Sequence, residues 1–156
     1  KVIICLAFIL SVLALKAQDF KTAIGIRGGV SQGLTLKHFV GGKTAFDLIV
    51  VTYSRGMHAV VLYEIHHHSI FDVPNLSLFY GFGGHIGFFD RTRVTHWGNY
   101  DTDNVMVIGA DLVLGIEYTF DEIPINVGID INPALNIIPS INYWQGGALY
   151  LRYVFR

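Results

Sequence analysis

The chain predicts an all-β fold: an eight-stranded antiparallel up-and-down transmembrane β-barrel preceded by a cleavable signal peptide. Three observations predict it. Hydrophobic residues make up 52% of the chain and charged ones only 15%, yet beyond Leu15 no apolar run is long enough for a membrane helix, which needs about 20 residues. Segment after segment alternates with a strand's period of two, and no helical period of comparable strength follows residue 18. The final strand alternates most cleanly, with Leu149, Leu151, Tyr153 and Phe155 on one face and Tyr150, Arg152 and Val154 on the other. Apolar residues diluted about two-fold by a polar face are what a barrel with lipid outside requires.

Taken from the N-terminus, Lys1, the apolar run Val2 to Leu15 and Lys16-Ala17-Gln18 read as a secretory signal peptide, with cleavage after Ala17. Residues 18–156 then form one barrel domain. Cys5, the one cysteine, falls within the signal, so the mature chain is expected to carry no disulfide or thiolate chemistry. The first strand sets Ile24, Ile26 and Val30 against Gly25, Arg27 and Gly29. The second sets Leu34 and Leu36 against Thr35 and Lys37. After Gly41-Gly42-Lys43, the third sets Phe46, Leu48 and Val50 against Ala45, Asp47 and Ile49. After the turn Ser54-Arg55-Gly56, the fourth sets Met57, Ala59, Val61, Tyr63 and Ile65 against His58, Glu64 and His66.

In the second half the fifth strand has Leu76, Leu78, Tyr80, Phe82, Ile86 and Phe88 opposite Ser77, Gly81, Gly83, His85 and Gly87. The sixth has Met106, Ile108, Ala110, Leu112, Leu114, Ile116, Tyr118 and Phe120 opposite Gly109, Asp111, Gly115, Glu117 and Thr119. The seventh has Ile125, Val127, Ile129 and Ile131 opposite Asn126, Gly128, Asp130 and Asn132. Asp90 to Asn104 is the longest polar stretch and reads as a surface loop, as does roughly Asn136 to Gln145, whereas Asp121 to Pro124 is a short turn. His66 to Pro74 is long for a turn at that same end. Aromatics near strand ends (Tyr53, Tyr63, Phe88, Phe89, Trp97, Tyr118, Phe120, Tyr143, Trp144, Tyr153, Phe155) read as two interfacial girdles. Net charge is −1, with no basic stripe or tail, so nucleic acid is not an expected partner.

With these features together, the chain resembles the small outer-membrane β-barrels of Gram-negative bacteria, the OmpA/OmpX-like transmembrane domains. Its closing strand LRYVF carries the most specific part of the likeness. The resemblance implies an outer-membrane location with lipid around the barrel. It also implies that Phe155 is the aromatic recognised by the barrel-assembly machinery, although here Arg156 follows it. No peptidoglycan-binding domain is recognisable after the barrel, and the family does not share one activity.

The inward face carries the candidate chemistry. Arg27, Lys37 and Arg152 stand against Asp47, Glu64, Asp111, Glu117 and Asp130, with His58, His66 and His85 nearby. An eight-stranded barrel is just wide enough for side chains to fill it, and buried charges must be paired. The expectation is a lumen plugged by a charge network, with the three cations paired to Glu117, Asp111 or Asp130, rather than a general pore. His66-His67-His68 offers at most a two-histidine half-site unless Glu64 joins, since His67 points to the opposite face. Ser69 with His67, His68 and Glu64 raises a lipid-modifying hydrolase, similar to the outer-membrane lipid A deacylases. Gly81-Phe82-Gly83-Gly84 lies mid-strand with no helix after it, so it is no phosphate loop. Inward glycines instead make room for large neighbours.

Three functional readings follow. The first is a non-enzymatic outer-membrane barrel with a filled lumen that presents loop 90–104 to an extracellular ligand, in an envelope or adhesion role, with no catalytic residues, metal or cofactor. The second is the membrane hydrolase. The third, a soluble lipocalin-like carrier, requires the reverse orientation, with Leu149, Leu151 and Tyr153 inward and Arg27, Asp111, Glu117 and Asp130 in water.

Overall fold

The computed structural model describes residues 21–53, 56–94 and 100–155; the predicted signal peptide, 1–17, lies outside them. Eight strands follow one another: β1 Thr22–Gly29, β2 Gly33–Gly41, β3 Thr44–Tyr53, β4 Gly56–His68, β5 Leu76–Val94, β6 Tyr100–Thr119, β7 Ile125–Ile138 and β8 Asn142–Phe155. Each pairs antiparallel with its sequence neighbour, and β8 returns to β1, with Thr22 opposite Phe155 and Gly29 opposite Ala148, so the barrel closes. Closure leaves no sheet edge around the wall.

The two faces separate as the alternation requires. Ile26, Leu34, Phe82, Leu112 and Leu149 point outward, and Leu149 is 65% exposed. Arg27, Lys37, Asp47, Glu64, Asp111, Glu117, Asp130 and Arg152 are buried inside. This is the reverse of a lipocalin-like carrier, which needs its oily face inward. An apolar ring on the inner wall, made by Ile49, Val51, Val60, Leu62, Phe79, Val113 and Tyr150, adds a small hydrophobic core.

Two expected loops are mostly strand. β5 continues to Val94 and β6 begins at Tyr100, pairing Asp90 with Asn104, Arg91 with Asp103 and Arg93 with Asp101. β4 reaches along β5 only to Phe89, and β7 along β6 only to Ile138 opposite Ile108. Residues 90–94 and 100–107 therefore form a two-stranded ribbon that projects beyond the barrel wall. The backbone ladder between β5 and β6 carries its pairing. Likewise β7 and β8 leave only 139–141 between them. The connection Ser69–Asn75, at the opposite end, holds a short 3-10 turn over Ile70–Asp72, with Ser69, Phe71, Asp72 and Asn75 all left-handed. Two predicted girdle aromatics turn inward instead. Phe89 and Trp144 sit on inward positions, their rings 6.5 and 5.9 Å from that of His58. Trp97 lies outside the described residues.

Candidate functional site

The lumen is organised around Glu117, on the inward face of β6. Its Oε2 accepts from Lys37 Nζ at 3.0 Å, from the Tyr150 hydroxyl at 3.1 Å and from Arg152 Nη1 at 3.3 Å. Its Oε1 lies 3.4 Å from His66 Nδ1. Lys37 also reaches Glu64 Oε2 at 2.7 Å, which in turn lies 3.1 Å from His66 Nε2. Both ring nitrogens of His66 thus face carboxylates. Arg152 is wholly buried. Its Nη2 bonds Asp47 Oδ2 at 2.5 Å and Thr35 Oγ1 at 2.9 Å, and its guanidinium lies 3.8 Å from the centre of the Tyr150 ring. Thr35 Oγ1 donates to Asp47 Oδ1 at 2.6 Å. Such a cluster is held by mutual Coulomb attraction and hydrogen bonds that offset the cost of taking each ion out of water.

The remaining candidates pair elsewhere. Arg27 Nη2 donates to Asp130 Oδ1 at 2.8 Å, and its Nε to the Ser31 carbonyl at 3.1 Å. Asp111, expected to take one of the three cations, instead accepts from His85 Nδ1 at 2.6 Å. The order of inward residues along β4 explains this. His58 is followed by Val60 and Leu62 before Glu64 and His66, and on β6 Asp111 is followed by Val113 before Glu117. The apolar ring therefore separates an upper polar tier, His58, His85 and Asp111, from the lower ionic one. We call the upper side the ribbon end of the barrel.

Thr35, His66 and Tyr150 complete the ionic cluster beyond the expected eight residues. All three lie on inward positions; His66 is already expected near the charges, and parity is the sign of Thr35 and Tyr150 in the sequence. The histidine run divides as strand geometry demands: His66 and His68 stack inside, ring centres 6.1 Å apart, while His67 stacks on Tyr80 outside at 5.6 Å. Among the described residues, no group of three or more His, Cys, Asp or Glu is placed to hold a metal ion. Ser69 lies in the turn, and His68 bonds Ser77 Oγ at 2.8 Å and the Gly42 carbonyl at 2.9 Å instead. The Ser69, His67 and Glu64 combination is not assembled. A concavity of about 610 Å³ lies along the wall beside Ile26, Tyr118, Ile129 and Leu151, and Arg27, Glu117 and Tyr150 also line it.

Inward glycines give the large lumen side chains their space. A Cβ on Gly115 would run into the Phe79 ring, and one on Gly128 into the Tyr150 hydroxyl. Gly128→Ala is expected to push Tyr150 off Glu117 and lower stability by about 1–3 kcal/mol, read as a lower urea midpoint of the refolded barrel in detergent. An unchanged midpoint would mean that the Tyr150 ring moves freely.

The fold and its interior define a class: closed eight-stranded up-and-down barrels with an apolar exterior and a charged, side-chain-filled interior. A solved structure, the N-terminal β-barrel domain of Pseudomonas aeruginosa OprF, is similar in fold, with a TM-score of 0.64 at 11% identity, over 88% of this chain and 100% of that one. No family model matches the chain, and no curated protein matches it.

Proposed function

We propose that this chain is a non-enzymatic outer-membrane protein whose sealed barrel anchors the β5–β6 ribbon at the cell surface in an envelope or adhesion role. The observation that carries the reading is the inversion of solvent logic. Exposed residues of the wall are Leu, Ile, Val and Phe, while Arg152, Lys37, Glu64 and Glu117 are buried. Water on the outside would leave that band unsupported; lipid satisfies it. The likeness to the OprF barrel domain supports the same setting. Phe155, partly exposed at the end of β8 beside Tyr153, is the residue we assign as the mark for the assembly machinery. The ribbon leaves strand edges open over 90–94 and 100–107, which offer backbone groups to an extracellular ligand.

The test is membrane fractionation of cells expressing the chain with its predicted signal, followed by gels with and without boiling. The expected result is an outer-membrane band whose mobility changes on boiling, with an epitope inserted within 95–99 detected on intact cells. A soluble periplasmic product with no shift overturns the reading.

A further inference from the structure

At the ribbon end, where β5 and β6 leave the wall, a cavity of about 250 Å³ opens between the ribbon base and the β7–β8 turn. Phe89, Asp90, Val105, Val107, Asn136, Pro139, Ser140 and Asn142 line it. At about 30 Å³ per water it holds roughly eight waters, the space of one sugar ring. We infer that this cup binds a single neutral sugar residue.

The polar groups of the cup are held in place before any ligand arrives. Asp111 accepts the Nδ1 proton of His85, and His85 Nε2 lies 2.9 Å from the Asn136 amide. That contact fixes the Oδ1 end of the amide, and its Nδ2 end is a donor. Asn142 Nδ2 donates to Ser140 Oγ at 2.6 Å. That leaves the Asn142 carbonyl oxygen as an acceptor and the Ser140 hydroxyl as a donor. Asp90 adds a carboxylate, which accepts from hydroxyls. Phe89, Pro139, Val105 and Val107 form the apolar side, suited to the C–H face of a pyranose. Donors and acceptors fixed on one side and an apolar wall on the other are the arrangement of a small-ligand site. Charge narrows the class further. Among the described residues, Asp90 is the one charged residue lining the cup, and no lysine or arginine lines it. Phosphorylated and carboxylated sugars are therefore disfavoured. The inference rests on the cup alone and not on which side of a membrane it faces.

The experiment is NMR titration of the full barrel, refolded in detergent, following the side-chain amide signals of Asn136 and Asn142. The probes are the methyl glycosides of glucose, galactose, mannose and N-acetylglucosamine, each taken to about 10 mM, tenfold above a Kd of about 1 mM. Saturable shifts from at least one glycoside are expected. In Asn142→Leu, an exposed substitution at the start of β8 that leaves the boiling shift intact, binding is expected to weaken about tenfold or more, and methyl glucuronide is expected to bind about tenfold more weakly than methyl glucoside. A neutral oligosaccharide released from the cell's own lipopolysaccharide binding more tightly than any simple glycoside would place the source in the cell's own surface; tighter binding of a simple glycoside would place it outside. The absence of saturable shifts with all probes, equal shifts with inorganic phosphate, or unaltered binding in Asn142→Leu would overturn the inference.

Discussion

Arg152→Ala is expected to cost the folded barrel about 3–5 kcal/mol, the usual consequence of removing one partner from a buried ion cluster. The side chain is wholly buried and holds Asp47 at 2.5 Å, Glu117 at 3.3 Å and Thr35 at 2.9 Å. Without it, Lys37 is the remaining strong cation beside Asp47, Glu64 and Glu117. The loss is read as a lower urea midpoint and a lower temperature for the gel-mobility change. A paired variant separates charge from packing. Arg152→Met combined with Asp47→Leu removes one charge of each sign while keeping volume, and is expected to recover most of the loss. Stability unchanged in Arg152→Ala would show that the lumen is not held by this cluster.

Leu112→Arg probes the outer wall. Leu112 sits midway along β6, 59% exposed and opposite Phe82 on β5. With lipid outside, an arginine there is expected to cost about 2–4 kcal/mol, whereas Ile141→Arg, in the β7–β8 turn, is expected to cost about 0–1 kcal/mol because the penalty falls toward the interface. Folding equilibrium in lipid vesicles measures both. A soluble barrel would tolerate the two equally, since each side chain would end in water. Equal, small effects would therefore remove the membrane reading, and a graded pair would locate the hydrocarbon zone.

Much of the fold was legible in the chain. All eight strands and the facing of their residues follow from the period of two, because a one-residue slip would move every charge to the apolar side. Inward placement of Arg27, Lys37, Asp47, Glu64, Asp111, Glu117, Asp130 and Arg152 came from that parity alone. The β5–β6 ribbon was not legible. Its residues do not alternate, so Asp90 to Asn104 looks like a loop although most of it is paired. The inward turn of Phe89 and Trp144 escaped for a related reason: near a strand end, an aromatic can serve either an interface or the lumen mouth.

The sequence by itself determined the strands, their two faces and the residues that must share the lumen, because alternation is a local property of the backbone. Only the tertiary structure decided who meets whom. Lys37 reaches Glu64 and Glu117, Arg27 reaches Asp130, and Asp111 is taken by His85 rather than by an arginine or lysine. Those pairings depend on strand stagger and barrel closure, which bring together residues such as Thr35 and Arg152, 117 positions apart. A period of two records which wall a side chain leaves, but not the height at which it meets the chain across the lumen.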